Sequence, residues 1–286
     1  MTPVPVAETI AETRATVVAA RAAGRVIGFV PTMGALHAGH AELVRVARRL
    51  AGPSGLVVVS IFVNPTQFGP GEDFTRYPRD LEADRKLCGD AGADLIFHPS
   101  PAEVYPGHAV AFVDVAELGD HLCGPSRPGH FRGVCTVVLK LLNIVQPDVS
   151  VFGAKDAQQV RIIRRMVADL NVPGRIEIAP TVREADGLAM SSRNVFLNPE
   201  ERAAAPGIYA ALLAVRDRAR NGEADVARLE SALHADLAGI PGARVDYARI
   251  VDDDGMQPLT RLDRPALCAA AVFLGRTRLI DNLTLP

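Results

Sequence analysis

The chain has 286 residues, with 31 Lys and Arg against 33 Asp and Glu, so its formal net charge at pH 7 is −2. Apolar residues make up 48% of the chain and charged residues 22%, a composition that excludes disordered and fibrous classes. The two signs of charge are spread along the chain, so we expect neither a nucleic acid nor a membrane surface as a partner.

Strand-like runs alternate with helix-length segments over roughly the first 180 residues. The runs are RVIGFV, GLVVVSIFV, ADLIFH, VAFVDV, DVSVFG and RIEIAP. The helical segments cover residues 40–50, 78–90, 132–145 and 156–169, and residues 1–24 are predicted to form a further, first helix. Because several runs are continuously apolar and β-branched, they are typical of strands covered on both faces. The pattern predicts a doubly wound, Rossmann-like α/β domain with a parallel sheet.

The pattern changes after READGLAMSSRN. Asn198 and Pro199 are typical of a helix start, and a second helix is predicted after NGEAD. Three strands are predicted at the end of the chain, in RVDYARIV, LCAAAVFL and TRLIDNLTL. We therefore predict a first domain over residues 1–181 and a smaller α/β lid domain over residues 182–286.

The apolar runs and the cysteines indicate the compartment in which the protein is expected. The longest apolar runs fall far short of the roughly 20 residues that span a bilayer. Cys88, Cys123, Cys135 and Cys268 form no C-x-x-C pair, so neither a disulfide framework nor a structural metal is expected. The N-terminus has no uninterrupted apolar core and does not resemble a signal or transit peptide. A soluble, cytoplasmic protein is predicted.

PTMGALHAGH, residues 31–40, follows the first strand of the regular pattern and holds His37 and His40. The first βα turn of an open α/β sheet presents a helix N-terminus that attracts phosphate. No P-loop occurs in the chain, and GPGEDF lacks the last Gly of a dinucleotide fingerprint. Histidines three residues apart could be a metal pair, two unrelated histidines or a phosphate-binding pair; Gly34 and Gly39, which allow close approach of a ligand, favour the last.

A second polar stretch, MSSRN at residues 190–194, groups two hydroxyls with a guanidinium near the start of the second domain. Taken alone it could be an interdomain linker. A His-x-x-His helix start combined with a distant, mobile Ser/Lys/Arg loop is the arrangement of class I aminoacyl-tRNA synthetases and related nucleotidyltransferases, which bind ATP between these elements. Each stretch therefore strengthens the interpretation of the other.

Five motifs in order resemble those of the pantothenate synthetase family, the AMP-forming pantoate–β-alanine ligases. They are PTMGALHAGH, VSIFVNPTQFGPGEDFTRYPRD, LCGPSRPGHFRGVCTVVLKLLNIVQPD, FGAKDAQQ and READGLAMSSRN, and they extend from about residue 26 to 196. The resemblance implies a HIGH-type nucleotidyltransferase domain that joins (R)-pantoate to β-alanine with ATP and magnesium. It also implies a homodimer formed through the first domain. The last 90 residues or so resemble the family only in the general pattern of their residue types.

The resemblance also implies a set of site residues. His40 matches the position of the general acid and His37 lies beside it on the triphosphate. Gln67 matches a pantoate-binding glutamine near the β-alanine entry, and Gln159 a second pantoate-binding glutamine. The implied ATP contacts are Met33, Gly34, Ala35, Leu36, His37, Ala38, Gly39, His40, Gly153, Ala154, Lys155, Asp156, Val182, Met190, Ser191, Ser192 and Arg193.

Two positions depart from the family, which usually has Glu or Gln where this chain has Ala38 and Ala154. Both lie beside the residues that carry the chemical groups, so they bear on local hydrogen bonding around the nucleotide and little on the chemistry. No role is assigned to four further residues inside the motifs, which are Tyr77, Arg127, His130 and Arg132.

The residue chemistry agrees with this role. A carboxylate that attacks the α-phosphorus of ATP builds charge on the phosphoryl oxygens, which placed cations and donors must stabilise. His37, His40, Lys155, Ser191, Ser192 and Arg193 form the predicted catalytic set. Lys155 could instead be a solvated lysine at a helix start, Gln67 a surface glutamine, and Asp156 either a Mg²⁺ contact or a helix cap.

Two other functions stay open. One is an H-x-G-H nucleotidyltransferase that stops at nucleotide transfer, and the other is a nucleotide-binding sensor without turnover. Release of AMP together with an amide product distinguishes the ligase from both.

Overall fold

The structure is a computed structural model that describes residues 3–69 and 73–286. Residues 70–72, part of the GPGEDF segment considered above, lie outside the described residues. The helices are α1 Ile10–Ala22, α2 Ala38–Ala51, α3 Leu81–Ala91, α4 Pro101–Val104, α5 Cys123–Ser126, α6 His130–Val145, α7 Ala157–Asp169, α8 Pro199–Ala204, α9 Gly207–Arg220 and α10 Val226–Ala238. The strands are β1 Val6–Ala7, β2 Ile27–Thr32, β3 Leu56–Ile61, β4 Leu95–Phe97, β5 Val149–Gly153, β6 Arg175–Ala179, β7 Ala243–Asp252, β8 Ala266–Leu274 and β9 Thr277–Leu285.

The chain divides into two compact units, each assembled from separate stretches of sequence. The N-terminal unit comprises Met1–Val115, Arg127–Ala154 and Ile162–Pro180, and the C-terminal unit comprises Ala116–Ser126, Lys155–Arg161 and Thr181–Pro286. The predicted boundary after residue 181 lies one residue beyond the last of these breaks, and two shorter stretches before it also belong to the C-terminal unit. The division into domains 1–181 and 182–286 stays a prediction.

The N-terminal unit is built on a parallel sheet with strand order β1-β4-β3-β2-β5-β6. Val30, Val57 and Val151 face an apolar cluster that includes residues of α2 and α3. Phe29 and Val58, which alternate with them, are fully buried as well, so both faces of the sheet are covered. This confirms the predicted doubly wound sheet, and strand order reverses at β2, where a ligand crevice is expected.

The C-terminal unit contains an antiparallel sheet with order β7-β8-β9, against which α9 and α10 pack. Its core joins Leu212 and Leu233 of the helices to Cys268 and Val272 of β8. Every predicted strand of this region is present. Asn198 caps α8 and Pro199 opens it, as the sequence predicts.

Two predictions near the sheet of the N-terminal unit are wrong. VAFVDV, residues 110–115, forms no strand; Phe112 is 47% exposed and stacks under the guanidinium of Arg132, while Val113 donates its N–H to Thr136 Oγ1. The segment whose alternating β-branched residues led to the strand prediction instead contacts Arg132 and Thr136 of α6. Residues 1–24 are not wholly helical either, because β1 precedes α1; a strand of two residues directly after Pro5 is too short for a periodic signal.

Within residues 3–69 and 73–286, no helix combines the length and the hydropathy that crossing a membrane requires. The four cysteines are buried thiols. Burial raises the pKa of Cys88, Cys135 and Cys268 to about 12, so these thiols stay protonated at neutral pH.

Candidate active site

The turn after β2 carries the two histidines, and they bond to the backbone reciprocally. His37 precedes α2 and accepts the N–H of Gly39 at Nδ1 (3.2 Å), while His37 donates its own N–H to Nδ1 of His40 (3.3 Å). The ring centroids lie 4.1 Å apart. The sequence predicted that both imidazoles face the same way, and the structure brings them together; it did not predict that they cap their own helix.

Gln67 lies on a short 3₁₀ turn after β3, with only 8% of its surface exposed. Its Nε2 donates to Sδ of Met33 (3.0 Å), and its Oε1 accepts from Nδ2 of Asn64 (3.1 Å). Gln67 is therefore not a surface glutamine. The structure places its amide beside Met33, the first residue of the predicted nucleotide turn.

Arg127 and His130, which had no assigned role, support Gln67 from α6. The ring of His130 donates from Nδ1 to the carbonyl of Gln67 (2.9 Å) and accepts at Nε2 from Arg127 (2.9 Å). A carbonyl only accepts, so the contacts fix the tautomer. A Cβ on Gly133 would lie 2.4 Å from the carbonyl oxygen of Thr66, so only glycine lets α6 approach this closely. The RPGHFRG segment thus holds the backbone of Gln67.

The other two residues without a role lie elsewhere in the N-terminal unit. Tyr77 is buried beside Phe68, with ring centroids 6.2 Å apart. Arg132 stacks on Phe112 and does not take part in the bonds around Gln67.

In the C-terminal unit, Lys155 lies on a 3₁₀ turn directly after β5, and 19% of its side chain is exposed. Its Nζ is 3.8 Å from Oδ1 of Asp156, and its carbonyl accepts from Nδ2 of Asn282 on β9 (2.9 Å). Lys155 is therefore not a fully solvated lysine. It lines a small cavity that Ser191 also lines, so two predicted catalytic residues meet there.

The predicted contacts Val182 and Met190–Arg193 belong to one hairpin and the turn that follows it. Met190 donates its N–H to the carbonyl of Val182 (3.0 Å), and Ser191 Oγ accepts the N–H of Arg193 (3.2 Å) as it caps a 3₁₀ turn. The hairpin explains how residues eight positions apart come side by side. The sequence predicted a mobile polar loop and gave no sign of this pairing.

A buried ion pair anchors this hairpin. Arg183 donates two bonds to the carboxylate of Asp281 on β9 (2.6 and 2.9 Å) and lies 3.5 Å from the ring centroid of Tyr209. Asp281 is 5% exposed. Its neighbour Asn282 bonds to Lys155, so consecutive residues of β9 hold the hairpin and the Lys155 turn.

A second group of charges lies closer to the hairpin tip. Arg202 donates to Glu184 and to Asp186 (2.6 Å each), and Asn194 Nδ2 donates to Glu184 (3.0 Å). The hydrogen bond from Arg202 lowers the pKa of the Asp186 carboxyl. These contacts tie α8 to the tip of the hairpin.

Two adjacent glutamines begin α7. Gln158 is buried and bonds to three backbone groups, the N–H of Cys123 and the carbonyls of Leu118 and His121. Gln159, the predicted pantoate contact, is half-exposed. The structure thus gives the first glutamine a structural position and leaves the second accessible.

The fold and these groups define a class. A parallel sheet whose strand order reverses at a turn with two imidazoles, and whose next strand is followed by a buried amide, is the architecture of a ligand-binding α/β enzyme.

Comparison with known proteins identifies the family. The profile described as Pantoate-beta-alanine ligase matches residues 5–284. A pantothenate synthetase of Pelotomaculum thermopropionicum is 54% identical over 98% of both chains. The crystal structure of pantothenate synthetase from Thermus thermophilus is 47% identical over 98% of both chains, with a TM-score of 0.90. The pantoate-beta-alanine ligase from Francisella tularensis, solved in complex with beta-gamma ATP and beta-alanine, is 33% identical over 98% of this chain and 97% of its own, with a TM-score of 0.78.

The chain belongs to the pantoate-beta-alanine ligase family. It is an enzyme of the ligase class that joins pantoate to β-alanine.

Proposed function

We propose that the chain condenses (R)-pantoate with β-alanine at the expense of ATP, giving pantothenate, AMP and pyrophosphate through an enzyme-bound pantoyl adenylate. The observation that carries the proposal is the turn after β2. It lies where strand order reverses, its two imidazoles sit 4.1 Å apart, and its first residue, Met33, contacts the buried Gln67. The Francisella relative, described as complexed with beta-gamma ATP and beta-alanine, supports the same substrates here.

In the first half-reaction, a carboxylate oxygen of pantoate attacks the α-phosphorus of ATP. The bond from that phosphorus to the bridging oxygen breaks, and pyrophosphate leaves with the electron pair. Charge grows on the phosphoryl oxygens, where hydrogen-bond donors and cations stabilise it most. We assign this work to His37, His40, Lys155, Ser191, Ser192 and Arg193.

The nucleotide is held by backbone and side chains of the predicted segments. They are Met33–His40, Gly153–Asp156, Val182 and Met190–Arg193. The backbone hydrogen bond from Met190 to Val182 holds the last two of these segments side by side, which supports their assignment to the same part of the nucleotide.

Gln67 and Gln159 bind pantoate in this proposal. Pantoate carries two hydroxyls and a carboxylate, which amide groups recognise by donating and accepting at once. The amide of Gln67 is already oriented by Asn64 and Met33, so little side-chain entropy is lost when a substrate binds.

Magnesium accompanies the phosphates in this proposal. Within the parts of the chain that the structure describes, no group of three or more His, Cys, Asp or Glu side chains could hold a metal ion. The half-exposed carboxylate of Asp156 fits an ion that keeps its waters and binds mainly to phosphate oxygens. Bound there, Mg²⁺ would neutralise charge on the leaving pyrophosphate.

In the second half-reaction, the neutral amine of β-alanine attacks the acyl carbon. The bond from that carbon to the phosphate oxygen breaks, AMP leaves, and the amine nitrogen loses a proton as the amide forms. No side chain becomes acylated. We place the entry of β-alanine near Gln67.

The decisive experiment omits β-alanine. Enzyme with ATP, magnesium and pantoate should release a burst of about one pyrophosphate per active site and then nearly stop, because the adenylate stays bound. Addition of β-alanine should discharge it as AMP and amide, with ¹⁸O from the pantoate carboxylate recovered in AMP. If pyrophosphate appears only with β-alanine and the label never reaches AMP, the adenylate mechanism is wrong.

The same resemblance supports a homodimer formed through the N-terminal unit and a cytoplasmic location. Analytical ultracentrifugation of the purified chain tests the first, since a dimer has twice the 30.4 kDa of one chain. A monomer over the working concentration range would contradict it.

A further inference from the structure

A carboxylate outside the predicted site contacts the histidine turn. Asp84, on α3, is only 3% exposed. It accepts the backbone N–H of Leu36 at 2.6 Å and that of Ala35 at 3.0 Å. Those two residues directly precede His37.

The turn is shaped around this carboxylate. Gly34 and Ala35 are consecutive residues in the left-handed region, with φ of +86° and +52°. A Cβ on Gly34 would lie 3.0 Å from Oδ2 of Asp84 and 3.0 Å from Ile61, so the backbone is in close contact with the carboxylate. Adjacent N–H groups that converge in such a turn form an anion-binding concavity. Here the anion is supplied by the protein itself.

The surroundings of Asp84 perturb its carboxyl group. Burial of Asp84 raises the pKa of its carboxyl, and the charge of Asp80 adds to the rise; the N–H bonds of Leu36 and Ala35 and the charge of His98 oppose it. Burial therefore outweighs the two hydrogen bonds in its effect on the pKa of this carboxyl. A group kept in this state is a candidate for a role beyond packing.

We propose that Asp84 is a positioning residue for adenylation. Its carboxylate fixes the N–H groups of Ala35 and Leu36 and thereby sets the place of both imidazoles. Since His37 follows Leu36 directly and His40 bonds to the backbone of His37, a shift of the turn displaces both rings together. The inference rests on the proposed roles of His37 and His40 in phosphoryl stabilisation.

Asp84→Asn tests the idea with little change in volume. An amide oxygen can accept one N–H, but the amide nitrogen faces the other N–H and repels it, so the turn moves. A displacement of about 1 Å in a catalytic group lowers rates by roughly 10²-fold. We expect the single-turnover rate of pyrophosphate release to fall about 10- to 100-fold, while the dissociation constants for pantoate and the melting temperature change little. Asp84→Glu, which retains the charge, should recover part of the rate.

Asp80→Asn is the matched control. It removes the same charge from the same helix, and Asn is as good a cap for the N–H of Ala83 as Asp. Its adenylation rate should stay within about twofold of wild type.

A double mutant separates positioning from a general structural effect. If Asp84 acts through the imidazoles, Asp84→Asn should add little to the rate loss of His40→Ala, since the ring that it positions is gone. Multiplicative losses, or a wild-type rate for Asp84→Asn alone, would overturn the inference. A His40→Ala variant with normal adenylation would instead overturn the proposed function.

Gly34→Ala provides the same test if Asp84→Asn does not fold. Its methyl group would push the turn away from Oδ2 without removing the charge. A folded Gly34→Ala enzyme should show the same loss of adenylation rate, and a folded variant with a wild-type rate would overturn the inference.

Discussion

The turn at residues 33–40 and the hairpin at residues 182–190 are both predicted to contact ATP, yet they are held differently. The turn is fixed by one buried carboxylate and two ring nitrogens, all bonded to backbone N–H groups. The hairpin is fixed by guanidinium–carboxylate pairs, of which Arg183–Asp281 is buried and the Arg202 pairs are about one-third exposed. The hairpin also has backbone bonds of its own, such as that from the N–H of Met190 to the carbonyl of Val182, so the two regions differ in which side chains support the backbone. The turn depends on one carboxylate and two ring nitrogens, whereas the hairpin depends on salt bridges to β9 and α8.

The largest expected effect is on the hairpin. Asp281→Ala leaves Arg183, whose side chain is 17% exposed, without its anionic partner, and loss of one partner of a buried pair destabilises a protein by up to about 3–5 kcal/mol. Urea unfolding monitored by circular dichroism measures the change. Asp263→Ala, which breaks an exposed pair with Arg264, is the control and should change stability by less than about 1 kcal/mol. Equal effects in the two variants would remove the distinction between buried and exposed pairs.

The next effect concerns the chemical groups that the two regions carry. His40→Ala, in the turn, and Lys155→Ala, in the C-terminal unit, should each lower the adenylation rate by about 10²-fold or more, because each removes a transition-state donor. Stability should fall by about 1 kcal/mol in His40→Ala, since a helix cap is lost. His234→Ala, on the exposed side of α10, is the control. A folded variant of either residue with near-normal adenylation would contradict its assigned role.

A smaller effect separates the two glutamines of α7. Gln159→Ala should raise the pantoate KM by about 10- to 100-fold, which corresponds to 1–3 kcal/mol for an unpaired substrate group, and leave the ATP KM nearly unchanged. Gln158→Ala should instead lower the free energy of unfolding, because three backbone groups lose a partner. Steady-state kinetics of both variants measure the two KM values, and urea unfolding measures their free energies of unfolding. A raised KM for ATP with an unchanged KM for pantoate would instead assign Gln159 to the nucleotide site.

The smallest effect is the pH dependence of stability that Asp84 causes. Because its folded-state pKa is raised by burial, the folded protein binds this proton more tightly than the unfolded chain. The stability of wild type relative to Asp84→Asn should therefore fall as pH rises above the ordinary carboxyl pKa of about 4. Adenylation should change in the opposite sense, since only the ionised form accepts both N–H groups. A stability difference that is constant with pH would contradict the shifted pKa.

Periodicity in the sequence predicted most of the fold. The continuous apolar runs of β2, β3 and β5 and the alternation in β9 have the patterns that packing requires. Periodicity wrongly predicted a strand at residues 110–115, which pair with no strand of the sheet. It missed β1, because a strand of two residues is too short to show a period. Such outcomes depend on distant parts of the chain that a local window does not contain.

The sequence indicated candidate chemical groups for the site, which stay predictions, but none of the residues that support them. Asp84 lies four residues before buried Cys88 on α3, and Asp281 shares the inward side of β9 with Leu279. A carboxylate on an apolar face was a visible signal in both places. Its partner was not visible, because 48 residues separate Leu36 from Asp84 and 98 separate Arg183 from Asp281.

The reciprocal bonds between His37 and His40 determine where each ring carries its proton. A backbone N–H donates only to an unprotonated nitrogen, so Nδ1 is bare in both rings and the hydrogen of each neutral imidazole sits on Nε2. To become an imidazolium, as a general-acid role for His40 requires, the ring must take up a proton at Nδ1 and release the helix N-terminus, which costs about 1 kcal/mol. Nitrogen-15 chemical shifts of the two rings, before and after ATP binds, would reveal whether proton uptake accompanies fraying of the first turn of α2.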